Sequence, residues 1–380
     1  MSRNALLPPA TGAWQEGDPP GRRQWARLRS ALPLESGGEL PGARMAYETW
    51  GQLAPDASNA VLVLHALTGD SHVSGPAGPG HLTAGWWDGL IGPGRALDTD
   101  RWFVVAPNVL GGCQGSTGPS SPHPDGGRWG GAFPFVTTRD QTEAEARLAD
   151  QLGIDRWALV VGGSMGGMRA LEWAVSWPDR VASLLVLTST AAASAEQIAW
   201  ASVQLGAIRS DANWRGGDYH DAGPGRGPHQ GLGLARRLAH VTYRSESELD
   251  IRFGRAAQEA EDPWRGGRYQ VQSYLDHHAS KLVHRFDAGS YVVLTEAMNS
   301  HDVGRGRGGT AAALGRVSAR TLIAGVDSDR LYPLAQQHHL AAHIPGADRV
   351  RTIASPCGHD GFLVEVEQVA ALVGELLDTE

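Results

Sequence analysis

The sequence predicts an α/β protein: a mostly parallel sheet with helices on both faces, interrupted by a helical insertion. Three observations carry this reading. Apolar runs at 61–64, 102–106, 157–161 and 184–187 alternate with loops and amphipathic helical patterns, the order of a parallel sheet. The run at 61–64, Val-Leu-Val-Leu, is continuous, as a strand buried on both faces requires. Residues 190–310 then abandon that rhythm. They are rich in Arg, His and Gly and offer few strand patterns, before strands resume at 321–326 and 350–353.

Composition bounds the rest. A chain of 380 residues can bury a large core, as one large domain or two smaller ones. A net charge of −8 argues against a nucleic-acid surface. Cys113 and Cys357 are the only cysteines, so no disulfide framework or cysteine-rich zinc site is expected, and a reducing cytoplasm fits. The apolar triplet at 5–7 is too short for a secretion signal, and no apolar run approaches the roughly 20 residues of a membrane helix. A soluble, cytoplasmic protein is expected.

Taken in order, residues 1–25 read as a tail, 26–189 as the first part of the core, 190–310 as a helical lid, and 311–380 as the second part of the core. Early strands fall at 32–34 and 45–50. Gly, Pro and Trp crowd 74–98, which reads as loop. A long glycine-rich loop, 108–121, leaves the strand at 102–106. It lacks the Gly-Lys-Ser/Thr ending of a phosphate loop. Residues 139–152 form an amphipathic helix stopped by Gly153. Within the insertion, 195–208, 231–240, 246–260 and 269–282 read as helices. The core then supplies a strand at 321–326, a helix at 334–343, a strand at 350–353 and a closing helix at 361–377.

The chemistry centres on Gly162-Gly163-Ser164-Met165-Gly166-Gly167. This fits G-x-S-x-G, the nucleophile elbow of α/β-hydrolases, set between a strand and a helix closed by Pro178. A nucleophilic serine must stand on a sharp strained turn, and side chains two positions either side would collide there. Serine also needs a base, and the base an orienting acid. His359 follows the last strand, the place the fold reserves for it. His338, His339 and His343 lie on or beside a helix and read as surface residues. Asp327 and Asp329 both follow the strand at 321–326, and spacing does not choose between them. The oxyanion hole is expected from the backbone N–H of Met165 and one near Leu67. His65, ahead of that loop, reads as a structural histidine.

Six stretches together carry a resemblance: His65-Ala66-Leu67-Thr68-Gly69-Asp70-Ser71-His72, Gly85-Trp86-Trp87-Asp88-Gly89, residues 108–121, residues 162–167, residues 291–302, and Gly358-His359-Asp360-Gly361-Phe362. In order and without large gaps, the chain from about 30 to 378 resembles the homoserine O-acetyltransferases, enzymes of methionine biosynthesis on the α/β-hydrolase fold. The resemblance implies Ser164 as nucleophile, His359 as base and Asp329, rather than Asp327, as acid. It implies Arg236 as the arginine that binds the substrate amino acid, whose carboxylate suits a guanidinium, and Asp360 as a substrate contact. By charge, Asp360 suits the ammonium; it could also cap the helix at 361–377. L-homoserine and acetyl-CoA are the implied substrates, and a homodimer built through lid helices is implied as well. No metal and no permanently bound cofactor is expected. A homoserine O-succinyltransferase on the same scaffold and a lidded esterase or thioesterase are the alternatives.

Overall fold

The computed structural model describes residues 7–347 and 349–377. The chain forms strands β1 (Gln24–Arg27), β2 (Leu32–Pro33), β3 (Glu39–Leu40), β4 (Arg44–Trp50), β5 (Ala60–Leu64), β6 (Ile91–Gly92), β7 (Leu97–Asp98) and β8 (Phe103–Pro107). Helix α1 (Thr138–Leu152), β9 (Leu159–Gly163), α2 (Met165–Ser176) and β10 (Ser183–Leu187) follow. The insertion holds α3 (Ala195–Arg209), α4 (His229–Tyr243), α5 (Glu246–Phe253), α6 (Gln270–Val283) and α7 (Ala288–Asn299). The chain ends with α8 (Thr310–Leu314), β11 (Arg320–Val326), α9 (Leu334–His343), β12 (Val350–Ile353), α10 (Gly361–Val364) and α11 (Val366–Leu377).

Eight strands make one sheet in the order β1-β4-β8-β5-β9-β10-β11-β12. β1 and β4 pair antiparallel at one edge; every pairing from β8 to β12 is parallel. The continuous apolar strands are buried on both sides. In β5, Leu62 and Leu64 face a core shared with α1, α2 and α9, while Val61 and Val63 face one shared with α10 and α11. Strands β9 and β10 split the same way, with Val160 and Val186 on the first face and Val161 and Leu187 on the second. This period of two is why unbroken Val and Leu runs serve a sheet covered twice.

Local signals set the helix ends. Thr137 caps α1 with a reciprocal Asp140 bond, and Gly153 closes it at φ 73°. Ser194 and Gln197 make the same box at the start of α3. The structure departs from expectation in three places. The helix expected over 246–260 stops at Phe253, because Gly254 turns to φ 48° and Ala257 then bridges to Tyr269. The closing helix is parted at Glu365, φ −87° and ψ 56°. The tail expected over 1–25 overlaps β1, which sets Gln24 and Trp25 against Tyr47 and Ala46. Residues 7–23 lie on their neighbours: Gly12 N–H donates to Phe286 C=O and Trp14 N–H to Cys113 C=O.

No helix among the described residues is long and apolar enough to cross a membrane.

Candidate active site

The parallel strands all deliver their carboxyl ends to one edge, and the chemistry gathers there. Ser164 stands between β9 and α2 at φ 57°, ψ −124°, a conformation that L side chains rarely adopt. Its flanking glycines have no freedom to change. A Cβ on Gly162 would lie 2.3 Å from the Gly166 carbonyl oxygen, and one on Gly166 would lie 2.0 Å from that of Leu64. The sequence argument for G-x-S-x-G therefore has a direct steric counterpart.

His359 follows β12 and Asp329 follows β11. His359 Nε2 lies 2.9 Å from Ser164 Oγ, and His359 Nδ1 lies 2.7 Å from Asp329 Oδ2. All three residues are buried. The second Asp329 oxygen accepts the Leu331 and Tyr332 N–H groups at 2.8 and 2.9 Å. Asp327 points elsewhere and accepts the Ser355 N–H at 3.1 Å. Burial opposes charge on His359, but Asp329 and, more weakly, Asp360 outweigh it and raise its pKa above the ordinary value. Burial likewise opposes charge on Asp329. The His359 charge, its hydrogen bond, two backbone N–H groups and Thr188 together keep that carboxyl below its usual range.

Neither Leu67 N–H nor Met165 N–H donates to an acceptor among the described residues. Met165 is the first residue of α2, where an N–H has no partner in its own helix. A cavity of about 40 Å³ lies over Ser164, lined among others by Leu67, Gln204, Tyr243, Met298 and Tyr332. His65 is buried and neutral: burial, with the Arg169 charge, lowers its pKa to about 3. Its Nε2 accepts the Val109 N–H at 3.0 Å and its Nδ1 faces Ala66 C=O at 2.8 Å, so it ties the Leu67 loop to the loop after β8.

The insertion brings its own residues to this edge. Arg236 and Arg237 look alike in sequence but not in space. Arg237 is exposed and pairs with Asp276. Arg236 is half-buried, lies over the Tyr243 ring at 5.7 Å, and donates to Thr68 Oγ1 at 3.3 Å. Among the described residues it has no carboxylate partner, and its Nε is buried without an acceptor. Asp360 does not cap the helix that follows; its backbone is already helical and its side chain makes no cap bond. It pairs instead with Arg244, Oδ2 to Nη2 at 3.2 Å.

Residues 59–366 match the family described as alpha/beta hydrolase fold. A homoserine O-acetyltransferase of Thermobifida fusca is 68% identical over 378 residues, 99% of this chain and 100% of that protein. The chain belongs to the homoserine O-acetyltransferase family. A solved structure of the homoserine O-acetyltransferase from Bacillus anthracis superposes with a TM-score of 0.85 at 27% identity, covering 94% of this chain and 98% of that one. An acetylester hydrolase from Corynebacterium glutamicum superposes at 0.80 with 27% identity, over 95% and 97% of the two chains.

Two neighbours of the family motifs escape a sequence reading. Thr188, at the end of β10, donates to Asp329 Oδ2 at 2.8 Å and lies 2.9 Å from His359 Nδ1. It sits at φ 40°, a strained value for a β-branched residue. Its only sequence signal is its place at the end of a core strand. Arg244 is one arginine among many in the insertion, and its partner lies 116 positions later.

Among the described residues, Glu48, His72 and His81 gather metal-type ligand atoms. Their arrangement is that of an ion-pair cluster. Glu48 Oε2 holds His72 Nδ1 at 3.0 Å, and His81 Nε2 already accepts the Arg22 N–H at 3.1 Å. The two rings stack 3.7 Å apart at 9°. Imidazole lone pairs lie in the ring plane, so two parallel rings cannot both aim at one ion.

Proposed function

We propose that this protein transfers the acetyl group of acetyl-CoA to the hydroxyl of L-homoserine, through an acetyl-Ser164 intermediate. The observation that carries the acceptor assignment is Arg236: half-buried, set against Thr68 beside Leu67, and without a carboxylate partner among the described residues. A planar guanidinium offers parallel donors to a substrate carboxylate. Asp360, beside the base, suits the ammonium. A hydrolase needs neither.

In the first half-reaction, His359 takes the Ser164 proton as Oγ attacks the thioester carbonyl. The Leu67 and Met165 N–H groups hold the tetrahedral oxyanion. His359 then gives the proton to the departing CoA sulfur. In the second, His359 takes the proton of the homoserine hydroxyl as its oxygen attacks the acyl-serine, then returns that proton to the departing Ser164 Oγ, which frees the serine. The insertion covers Ser164 as a lid and excludes water, so that transfer outruns hydrolysis.

Ile198, Trp200 and Val203 on α3 and Leu234 on α4 are exposed large apolar residues. Together they support a homodimer through the insertion. Sedimentation of wild type and Val203→Arg tests it; a monomeric wild type rules it out.

The assay mixes the protein with acetyl-CoA or succinyl-CoA, with and without homoserine, and follows free thiol and product mass. Homoserine-dependent thiol release from acetyl-CoA, giving O-acetylhomoserine, is expected. Preference for succinyl-CoA would replace the donor. Equal release without homoserine would favour a lidded esterase or thioesterase, the reading that the acetylester hydrolase likeness keeps in view. Replacing Arg236 by Ala should raise the homoserine requirement and spare acylation; equal loss of both steps would remove it from the acceptor site.

A further inference from the structure

We propose that Arg244 is a positioning residue for the acceptor half of the reaction: it holds Asp360 by one carboxylate oxygen and offsets the negative charge that Asp360 places beside His359. This rests on the reading of Asp360 as the contact for the homoserine ammonium.

Four observations support it. First, the ion pair crosses from the insertion to the core. Arg244 follows α4, and Asp360 follows the catalytic histidine directly. Their side chains are only 13% and 17% exposed, so solvent screens the pair little. Second, Arg244 is itself oriented. Nη1 lies 3.2 Å from Glu248 Oε1 one turn later, which leaves Nη2 for Asp360 Oδ2 at 3.2 Å. Third, the backbone around it is clamped to the catalytic loop. Ser245 Oγ donates to Pro356 C=O at 2.5 Å. Gly358 sits at φ 64°, and a Cβ there would lie 2.4 Å from the Tyr243 carbonyl oxygen. Fourth, Asp360 Oδ1 has no partner among the described residues and remains for a ligand.

The consequence is geometric and electrostatic. Arg236 lies within α4, and Arg244, eight positions later, is the extended residue that ends it. α4 and the residue that ends it therefore carry the group that takes the carboxylate and the group that orients the partner of the ammonium. The charged and titratable groups around His359 are Asp329, with Thr188 and Ser164 in hydrogen-bond reach, and the Tyr243 and Tyr332 rings at 5.8 and 4.9 Å. Asp360 adds negative charge, which favours protonated His359. Arg244 partly cancels that charge. Removing Arg244 should therefore make His359 harder to deprotonate, and removing the Asp360 charge should make it easier.

The test uses the full chain carrying Arg244→Gln, Arg244→Lys, Asp360→Asn and the double variant Arg244→Gln/Asp360→Asn. Acylation is followed alone, by thiol release from acetyl-CoA in a single turnover across pH. Acceptor use is followed separately by the KM for homoserine. Arg244→Gln is expected to move the acid limb of acylation to higher pH and to raise the homoserine KM by about tenfold, the scale of one charge-assisted contact. Asp360→Asn should move the limb to lower pH, the double variant should match Asp360→Asn, and Arg244→Lys should keep the wild-type limb. An unmoved limb in Arg244→Gln, or a double variant unlike Asp360→Asn, overturns the proposal. If Arg244→Gln does not fold, the Lys variant and the double variant decide by the same limb positions. Absence of homoserine transfer in the wild type would instead overturn the acceptor reading, and the acylation limb would still report on Arg244.

Discussion

Replacing Asp329 by Asn should disable acylation by changing which nitrogen of His359 carries the proton. Asp329 Oδ1 accepts two backbone N–H groups, from Leu331 and Tyr332, and an asparagine must keep its oxygen there. Its NH₂ then occupies the Oδ2 place, 2.7 Å from His359 Nδ1. Two donors cannot face each other at that distance, so Nδ1 becomes an acceptor and the proton moves to Nε2. Nε2 lies 2.9 Å from Ser164 Oγ and can no longer take its proton. The loss expected for a wrong tautomer at a serine site is about 10⁴-fold, or roughly 5.5 kcal/mol in the barrier. The assay is single-turnover thiol release from acetyl-CoA. Asp327→Asn is the control, because among the described residues that exposed carboxylate accepts only the Ser355 N–H, and an amide oxygen can do the same. It should stay within about twofold of wild type, the usual range for a surface change. A rate for Asp329→Asn within about tenfold of wild type, or equal damage at Asp327, would refute the tautomer argument.

Other outcomes follow from the same geometry. Acylation by the wild type should fall as pH drops, with its midpoint above the ordinary histidine value near 6.5, because only neutral His359 can act as base and its pKa is raised. Stability runs the other way: the contribution of protonated His359 is complete below that ordinary value and is lost as pH rises through the folded one. The Asp329 contribution is present above the usual aspartate range and is lost only as pH falls through its depressed value, so acid unfolding monitored by circular dichroism should become less steep with pH in Asp329→Asn, which takes up one proton fewer on unfolding. Thr188→Val removes a donor to Asp329 at 2.8 Å and should slow acylation by about tenfold without changing the homoserine KM; an unaffected rate would leave Thr188 as packing. Gly166→Ala should lower the unfolding free energy read from urea titration by about 1–3 kcal/mol or more, because its Cβ would meet the Leu64 carbonyl. Gly206→Ala, in α3 with open space around it, should raise stability by about 0.5–1 kcal/mol.

The parallel core was legible because a strand covered on both faces leaves a mark that little else does, an unbroken apolar run between turns. The elbow was legible for a steric reason, since Gly162 and Gly166 are forced by carbonyl oxygens of the chain itself. His359 could be placed by topology, as the histidine after the last strand. The residues that stayed hidden depend on contacts between distant segments. Asp327 and Asp329 differ only in which backbone groups surround them, and period-two spacing says nothing about that. Arg236 and Arg237 are equivalent on paper, yet one finds Asp276 and the other does not. Asp360 reads naturally as a helix cap, but its backbone is already turned helical and Arg244 takes its side chain. The helix at 246–260 was overextended because propensity carried through Gly254, whose left-handed turn ends it.

The central claim is that Ser164 carries the acetyl group in transit. Intact-mass measurement of protein mixed with acetyl-CoA tests it most directly. The account predicts a mass increase of one acetyl group on wild type, removed by homoserine with formation of O-acetylhomoserine, and no increase on Ser164→Ala. An acetylated Ser164→Ala protein that still passes its acetyl group to homoserine would contradict it.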